Sequence, residues 1–228
     1  MKNLLYAEFS KLKENLFFMT CVIGMFALGL IISLCSVLSG NLMSLESIFD
    51  TYIFIVPALC AVLSIQLQIM EYECGAVRNK VICGHKRINI YLANLIVYTF
   101  AGFIISVVYF LPMTIFKCIS SESLISQKIP EIVLFILLIM MYISLFTLIC
   151  SVVENKITAF SVCLMILIPV IVVSINIFRM IYSEYYYNNS YYTEINMQIF
   201  TASIQILFIT VILSYVAGII LFCKKDLK

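Results

Sequence analysis

Along the chain, long uninterrupted apolar runs alternate with short polar connections. Six runs can be marked: Leu16–Leu38, Ile53–Met70, Tyr91–Phe116, Ile132–Val153, Ile157–Ile181 and Ile199–Cys223. Each has the roughly 17 to 25 residues that a helix needs to cross the hydrocarbon core of a bilayer. The connections leave no room for a soluble domain, so the pattern predicts an all-α polytopic membrane protein with one six-helix transmembrane domain over residues 16–228. Residues 1–15 behave differently. Leu5, Phe9, Leu12 and Leu16 recur at helical spacing, with Lys2, Lys11, Lys13 and Glu14 elsewhere, which predicts an amphipathic helix lying in the cytoplasmic interface. The plainer alternative is a polar lead-in to the first span.

Composition sharpens this picture. With 64% hydrophobic and 11% charged residues, the chain lies far from soluble domains, in which about a quarter of residues are charged. The first run is too long for the apolar core of a cleavable signal peptide and lacks a small-x-small exit, so it is expected to stay as a span. The positions of the bases set the expected orientation. Lys2, Lys11, Lys13, Arg78, Lys80, Lys86, Arg87, Lys156, Lys224, Lys225 and Lys228 fall on one side, against Lys117, Lys128 and the boundary residue Arg179 on the other. Both termini are therefore expected in the cytoplasm, with the chain in a cell membrane.

Several features mark the runs themselves. The first external loop, Gly40–Thr51, carries Glu46 and Asp50 and no base. Pro57 falls in the first turns of the second span, and Pro169 in the interior of the fifth, where a kink or break is expected. Gln66 and Gln68 suit either a passage or hydrogen bonding between helices near a span end. Ser144, Thr147 and Ser151 form one polar stripe that should face protein rather than lipid. Tyr182–Tyr192, with Tyr185, Tyr186, Tyr187 and Tyr191, reads as an interfacial aromatic belt.

The chemistry that is lacking narrows the function classes. No span has an ionisable residue near its centre, which argues against a proton-coupled carrier. The single histidine, His85, lies in a connection, and most of the nine cysteines lie within apolar runs as small hydrophobes. No catalytic or metal site is expected, and nothing suggests nucleic acid. No G-x-x-x-x-G-K-[ST] loop is present, so energy for active transport would have to come from another chain.

The longest polar interruption, Glu71–Asn94, is where such a chain could be met. Gly75 and Gly84 bracket a segment long enough for two helical turns. On it Val77, Val81 and Ile82 are expected to share one face, with Arg78, Asn79 and Lys80 projecting from others, and Gly84 is expected to be the C-terminal cap. A short, rigid, exposed helix suits docking on a soluble partner. A basic loop also satisfies the orientation rule with no partner at all.

The residues Gly75, Arg78, Asn79, Lys80, Ile82, Gly84, Arg87, Tyr91, Leu92 and Asn94 resemble the loop G-[TA]-[IV]-R-N-K-x-I-x-G-x-x-R followed by I-Y-L-x-N. This is the pattern of the small six-span permease subunits of type-2 ATP-binding-cassette (ABC) exporters, which serve bacterial peptide export and bacteriocin or lantibiotic immunity. The opening, with Glu8 and Lys11, is similar to their N-terminal amphipathic helix. Ala76 stands where the family often has Thr, and His85 and Lys86 replace an aromatic and a small polar residue.

The resemblance implies that residues 72–87, within a loop over 71–90, form a coupling helix against a separate ABC ATPase. It implies ATP and Mg bound only by that partner, and a second permease, identical or similar, completing the pathway. The docking residues it implies are Glu71, Gly75, Val77, Arg78, Asn79, Lys80, Gly84 and Arg87, with Leu5, Glu8, Phe9, Lys11 and Leu12 on the interfacial helix. An amphipathic or antimicrobial peptide is the substrate class that follows from the resemblance. A membrane anchor or sensor that recruits a cytoplasmic protein through the same loop is the second reading of these residues.

Overall fold

The computed structural model describes residues 2–38, 45–119, 129–153, 155–186 and 193–224. Within them every regular element is helical: α1 (Lys2–Glu14), α2 (Leu16–Leu38), α3 (Leu45–Glu73), α4 (Ala76–Ile82), α5 (Arg87–Ile119), α6 (Ile129–Val152), α7 (Lys156–Tyr186) and α8 (Thr193–Lys224). The protein is a polytopic all-α membrane protein. Among the described residues, stretches long and apolar enough to span a bilayer number five, in α2, α3, α5, α7 and α8, where six were expected over the chain. In α6 the described apolar stretch is shorter, Ile136–Val152, although the helix backbone runs 24 residues.

Three boundaries differ from the expected ones. α3 begins at Leu45, so the second half of the expected Gly40–Thr51 loop is helical. α7 runs through Pro169 as one element. α1 stops at Glu14, and Leu16, expected on its apolar row, opens α2 and is 81% exposed. Asn15 makes that corner: its amide donates to the Leu12 carbonyl, and its Oδ1 accepts from the Phe18 amide at 3.1 Å as an N-cap. The loop at Ser120–Gln127 and the tyrosines from Tyr187 to Tyr192 lie outside the described residues.

The core is built around α3, which packs against α6 and α7, while α2 lies along α5 and α8 along α6. Tyr109, Tyr142 and Phe146 are among its fully buried side chains. Lipid is as apolar as leucine, so packing and polar contacts, rather than a hydrophobic difference, must join such helices. The stripe on α6 supplies them. Ser144, Thr147 and Ser151 are buried, as their spacing predicted. Ser214 on α8 donates to the Ser144 hydroxyl at 2.7 Å, and that hydroxyl donates to the Met141 carbonyl. Tyr142 donates to Ser174 on α7 at 2.7 Å, which passes its own proton to the Val170 carbonyl. Ser144 and Ser174 thereby each accept from a neighbouring helix and donate to a carbonyl of their own.

Candidate functional site: the basic end of the bundle

The basic connections meet at one end of the molecule. Lys156, at the start of α7, pairs with Glu73 at the end of α3 at 3.4 Å. Arg87, at the start of α5, donates to the Cys223 carbonyl at the end of α8 at 2.9 Å. α1 and α4 sit at this same end, tied to the last turns of α3 as described below.

Glycine defines α4 at both termini. Gly75 has φ +66, closes α3 by donating to the Tyr72 carbonyl, and accepts from the Asn79 amide to start α4. Gly84 has φ +87. Its amide donates to Val81 O at 3.0 Å, and the His85 amide to Lys80 O at 3.2 Å, the paired bonds of a Schellman cap. A side chain at either glycine would meet no atom within 4 Å, so it is the left-handed backbone that calls for glycine there.

The faces of α4 divide differently from the expected pattern. Val77 is buried at 2% exposure, and Lys80 and Val81 lie beside it on the inward side. Ile82 is turned out, 72% exposed, in company with Arg78 and Asn79. The reason is angular: Lys80 and Val81 follow Val77 by three and four residues and share its face, whereas Ile82 follows by five and lies well round the helix. Lys80 therefore does not project outward with Arg78 and Asn79.

Inside, Lys80 holds two carboxylates from different helices. Its ammonium lies 2.6 Å from Glu8 Oε1 on α1 and 2.8 Å from both oxygens of Glu71 on α3. Lys11 on α1 donates to Glu71 Oε1 at 2.8 Å and to Glu8 at 3.3 Å. Asn94 on α5 donates to Glu71 Oε2 at 2.9 Å. Two acids and two ammonium groups balance in formal charge. Together they join α1, α3, α4 and α5, which no sequence-local contact would join.

The two members of the cluster on α1 respond to this setting. Burial, followed by the nearby Glu71 charge, raises the Glu8 pKa above the usual carboxylate value. Burial opposes the charge on Lys11, but the Glu71 and Glu8 carboxylates outweigh it and raise its pKa. A cavity of about 220 Å³ opens beside the cluster, lined in part by Glu8, Lys11, Gln66, Glu71 and Tyr98. Gln66 thus reaches a cavity, while Gln68 is buried.

The residues expected to dock a partner separate into two groups. Glu71, Val77 and Lys80 are turned inward and hold α4 in place. Arg78, Asn79 and Gly84 are exposed, Gly75 is half-buried, and Arg87 is tied to α8. On α1 the buried row is Leu4, Glu8 and Leu12, with Leu5 and Phe9 beside it. The interior acid of α1, the bridging role of Lys80 and the outward Ile82 had not been foreseen. The available signal was Glu8 standing in an i, i+4 row between Leu4 and Leu12. Among the described residues, no group of His, Cys, Asp and Glu is placed to hold a metal ion. The ion pairs of Lys80 and Lys11 with Glu8 and Glu71 are suited to holding α4 rigidly against α1 and α3. No protein-family model matches the chain, and no curated protein matches it.

Proposed function

We propose that this chain is the permease subunit of a type-2 ABC exporter in a bacterial cytoplasmic membrane, with both termini cytoplasmic and α4 as the element that receives a separate ATPase. The observation that carries this reading is the division of α4 into two faces. A helix of 7 residues, capped by glycines at both ends, is fixed from within by Lys80 and presents Arg78, Asn79 and Ile82 outward. An exposed isoleucine flanked by a guanidinium and an amide is a compact docking knob, with an apolar centre and polar rim. Rigid attachment matters because a push on α4 must move α1, α3 and α5 rather than be absorbed locally.

In this reading ATP and Mg are bound by the partner, two permease units enclose the pathway, and the substrate is an amphipathic or antimicrobial peptide. The substrate class rests on the resemblance of the loop motif. The experiment is to purify the tagged chain from its native host and assay for a co-purifying ATPase with a phosphate-binding loop. The pair Arg78→Glu and Ile82→Asp should abolish its recovery. An ATPase recovered equally with that variant would overturn the docking assignment, and a partner without ATPase activity would favour the anchor or sensor reading.

A further inference from the structure

A second concavity lies on the outer surface of the bundle, against α1. It has a volume of about 350 Å³ and is lined by Phe9 of α1, Ile96, Phe100 and Phe103 of α5, and Ile136 and Met140 of α6. Phe9 closes its end, with its ring edge-on to Phe100 at a centroid distance of 5.2 Å. The walls are open: Ile96, Phe100, Phe103 and Ile136 are each 37–46% exposed. Its polar members satisfy each other and the backbone: Thr99 donates to the Leu95 carbonyl at 2.7 Å, and the Tyr215 hydroxyl of α8 is hydrogen-bonded to Thr99. The groove asks for nothing polar along its length.

Its depth and the chemistry at its mouth select the occupant. From Leu95 to Phe103 the wall rises about 12 Å at 1.5 Å per residue, close to half of a hydrocarbon core about 30 Å thick. It serves one leaflet and then stops, whereas a neighbouring transmembrane helix would need a seam through both. At the mouth, α1 carries Lys2, Tyr6, Phe9 and Lys13 on a single stripe, at spacings of four, three and four. Lys2, Tyr6 and Lys13 are exposed, and neither lysine pairs with an acid among the described residues. Lys11, by contrast, is committed to Glu8 and Glu71. The mouth is thus cationic and aromatic, and the interior apolar.

We infer that this groove is a binding site for an anionic phospholipid of the leaflet beside α1. One acyl chain lies along Phe100 and Phe103, and the headgroup phosphate meets Lys13, one turn from Phe9; Lys2, about 16 Å further along α1, adds only to the positive field of that surface. The lipid holds the outer side of α1 to α5, as the ionic cluster holds its inner side to α3 and α4. The site depends on the chain being in a membrane and is independent of what α4 receives.

The sequence contains no tryptophan, which makes a clean test available. Single tryptophans are placed in the groove, Phe103→Trp or Phe100→Trp, and on a lipid-facing position of α7, Met165→Trp, where the native residue is 76% exposed. Each full-length variant is reconstituted in phosphatidylcholine vesicles containing phosphatidylglycerol, with bromine quenchers on the acyl chains of one lipid or the other. A basic residue near an anionic headgroup is worth about fivefold in preference. Brominated phosphatidylglycerol should therefore quench both groove tryptophans about fivefold more effectively, mole for mole, than brominated phosphatidylcholine. That preference should be lost with Lys13→Glu and be absent at residue 165. Equal quenching by the two lipids in the groove, or the same preference at residue 165, would overturn the inference. So would groove tryptophans shielded from both lipids, the result expected if a second copy of the chain covers this face.

Discussion

The two polar regions of this protein solve the same problem with different chemistry. At the basic end, formal charges from α1, α3 and α4 converge, with Asn94 of α5 beside them. Deeper in the bundle, α6, α7 and α8 are tied by neutral hydroxyls alone, Tyr142 to Ser174 and Ser214 to Ser144. A hydroxyl left unpaired can fall back on its own helix carbonyl, whereas a buried carboxylate that loses its cation keeps its full desolvation penalty. Charge is therefore used where α1 and α4 must be held in register at the bundle's edge. Neutral pairs suffice where long spans already lie side by side. The difference teaches that the bundle's rigidity is concentrated at the end that carries α4.

This contrast breaks most readily at Lys80. Lys80→Met leaves Glu8 and Glu71 with Lys11 as their remaining cation, and should cost about 3 kcal/mol in thermal or denaturant unfolding of the solubilised protein. A loss no larger than that of a hydroxyl variant would erase the distinction drawn above. Next in size, Glu71→Gln removes the negative charge facing Lys11 and Lys80 and turns one of the two acceptor oxygens they share with Asn94 into a donor, with an expected cost of about 2 kcal/mol. Glu8→Gln should cost less, because the charged form of Glu8 is already disfavoured by burial and by Glu71. Equal losses at the two acids would contradict that ranking.

Ser214→Ala should cost only about 0.6 kcal/mol, typical of hydrogen bonds between membrane helices. The smallest effect is that of pH. Lys11 has a raised pKa, so its contribution is complete below its ordinary value of 10.5 and fades only as pH climbs through the raised one. Glu8 runs the other way: its raised pKa means that its ionised form weakens the fold, a penalty relieved as pH falls through that value. Hydrogen exchange of α1 amides should accordingly stay protected beyond pH 10.5 and be slightly better protected in mild acid.

Much of the architecture could be read from spacing. Continuous apolar runs of about the length that crosses a bilayer satisfy their backbone in lipid as helices, and the Ser144, Thr147 and Ser151 stripe announced its buried face through its period. Gly75 and Gly84 foretold the ends of α4 because only glycine enters the left-handed region freely. The direction of α4 was less legible. Hydrophobic grouping put Ile82 with Val77 and Val81, but inward placement was decided by two carboxylates on other helices, at positions 8 and 71. The pairing of Lys80 with Glu8, from the far end of the chain, leaves no local signature. Lys80 shows the same limit: a lysine in a basic loop reads as solvated until the turn at Gly75 folds α4 back on Glu71 and the packing of α1 on α5 brings Glu8 to it.

The account rests on α4 having one face fixed and the other available. The most direct measurement is site-specific photocrosslinking in cells, with a photoreactive phenylalanine analogue placed at Ile82 or at Val77. At position 82 the account predicts a crosslink to an ABC ATPase subunit, and at position 77 crosslinks only within the chain. Capture of the ATPase from position 77, or internal crosslinks alone from position 82, would contradict it.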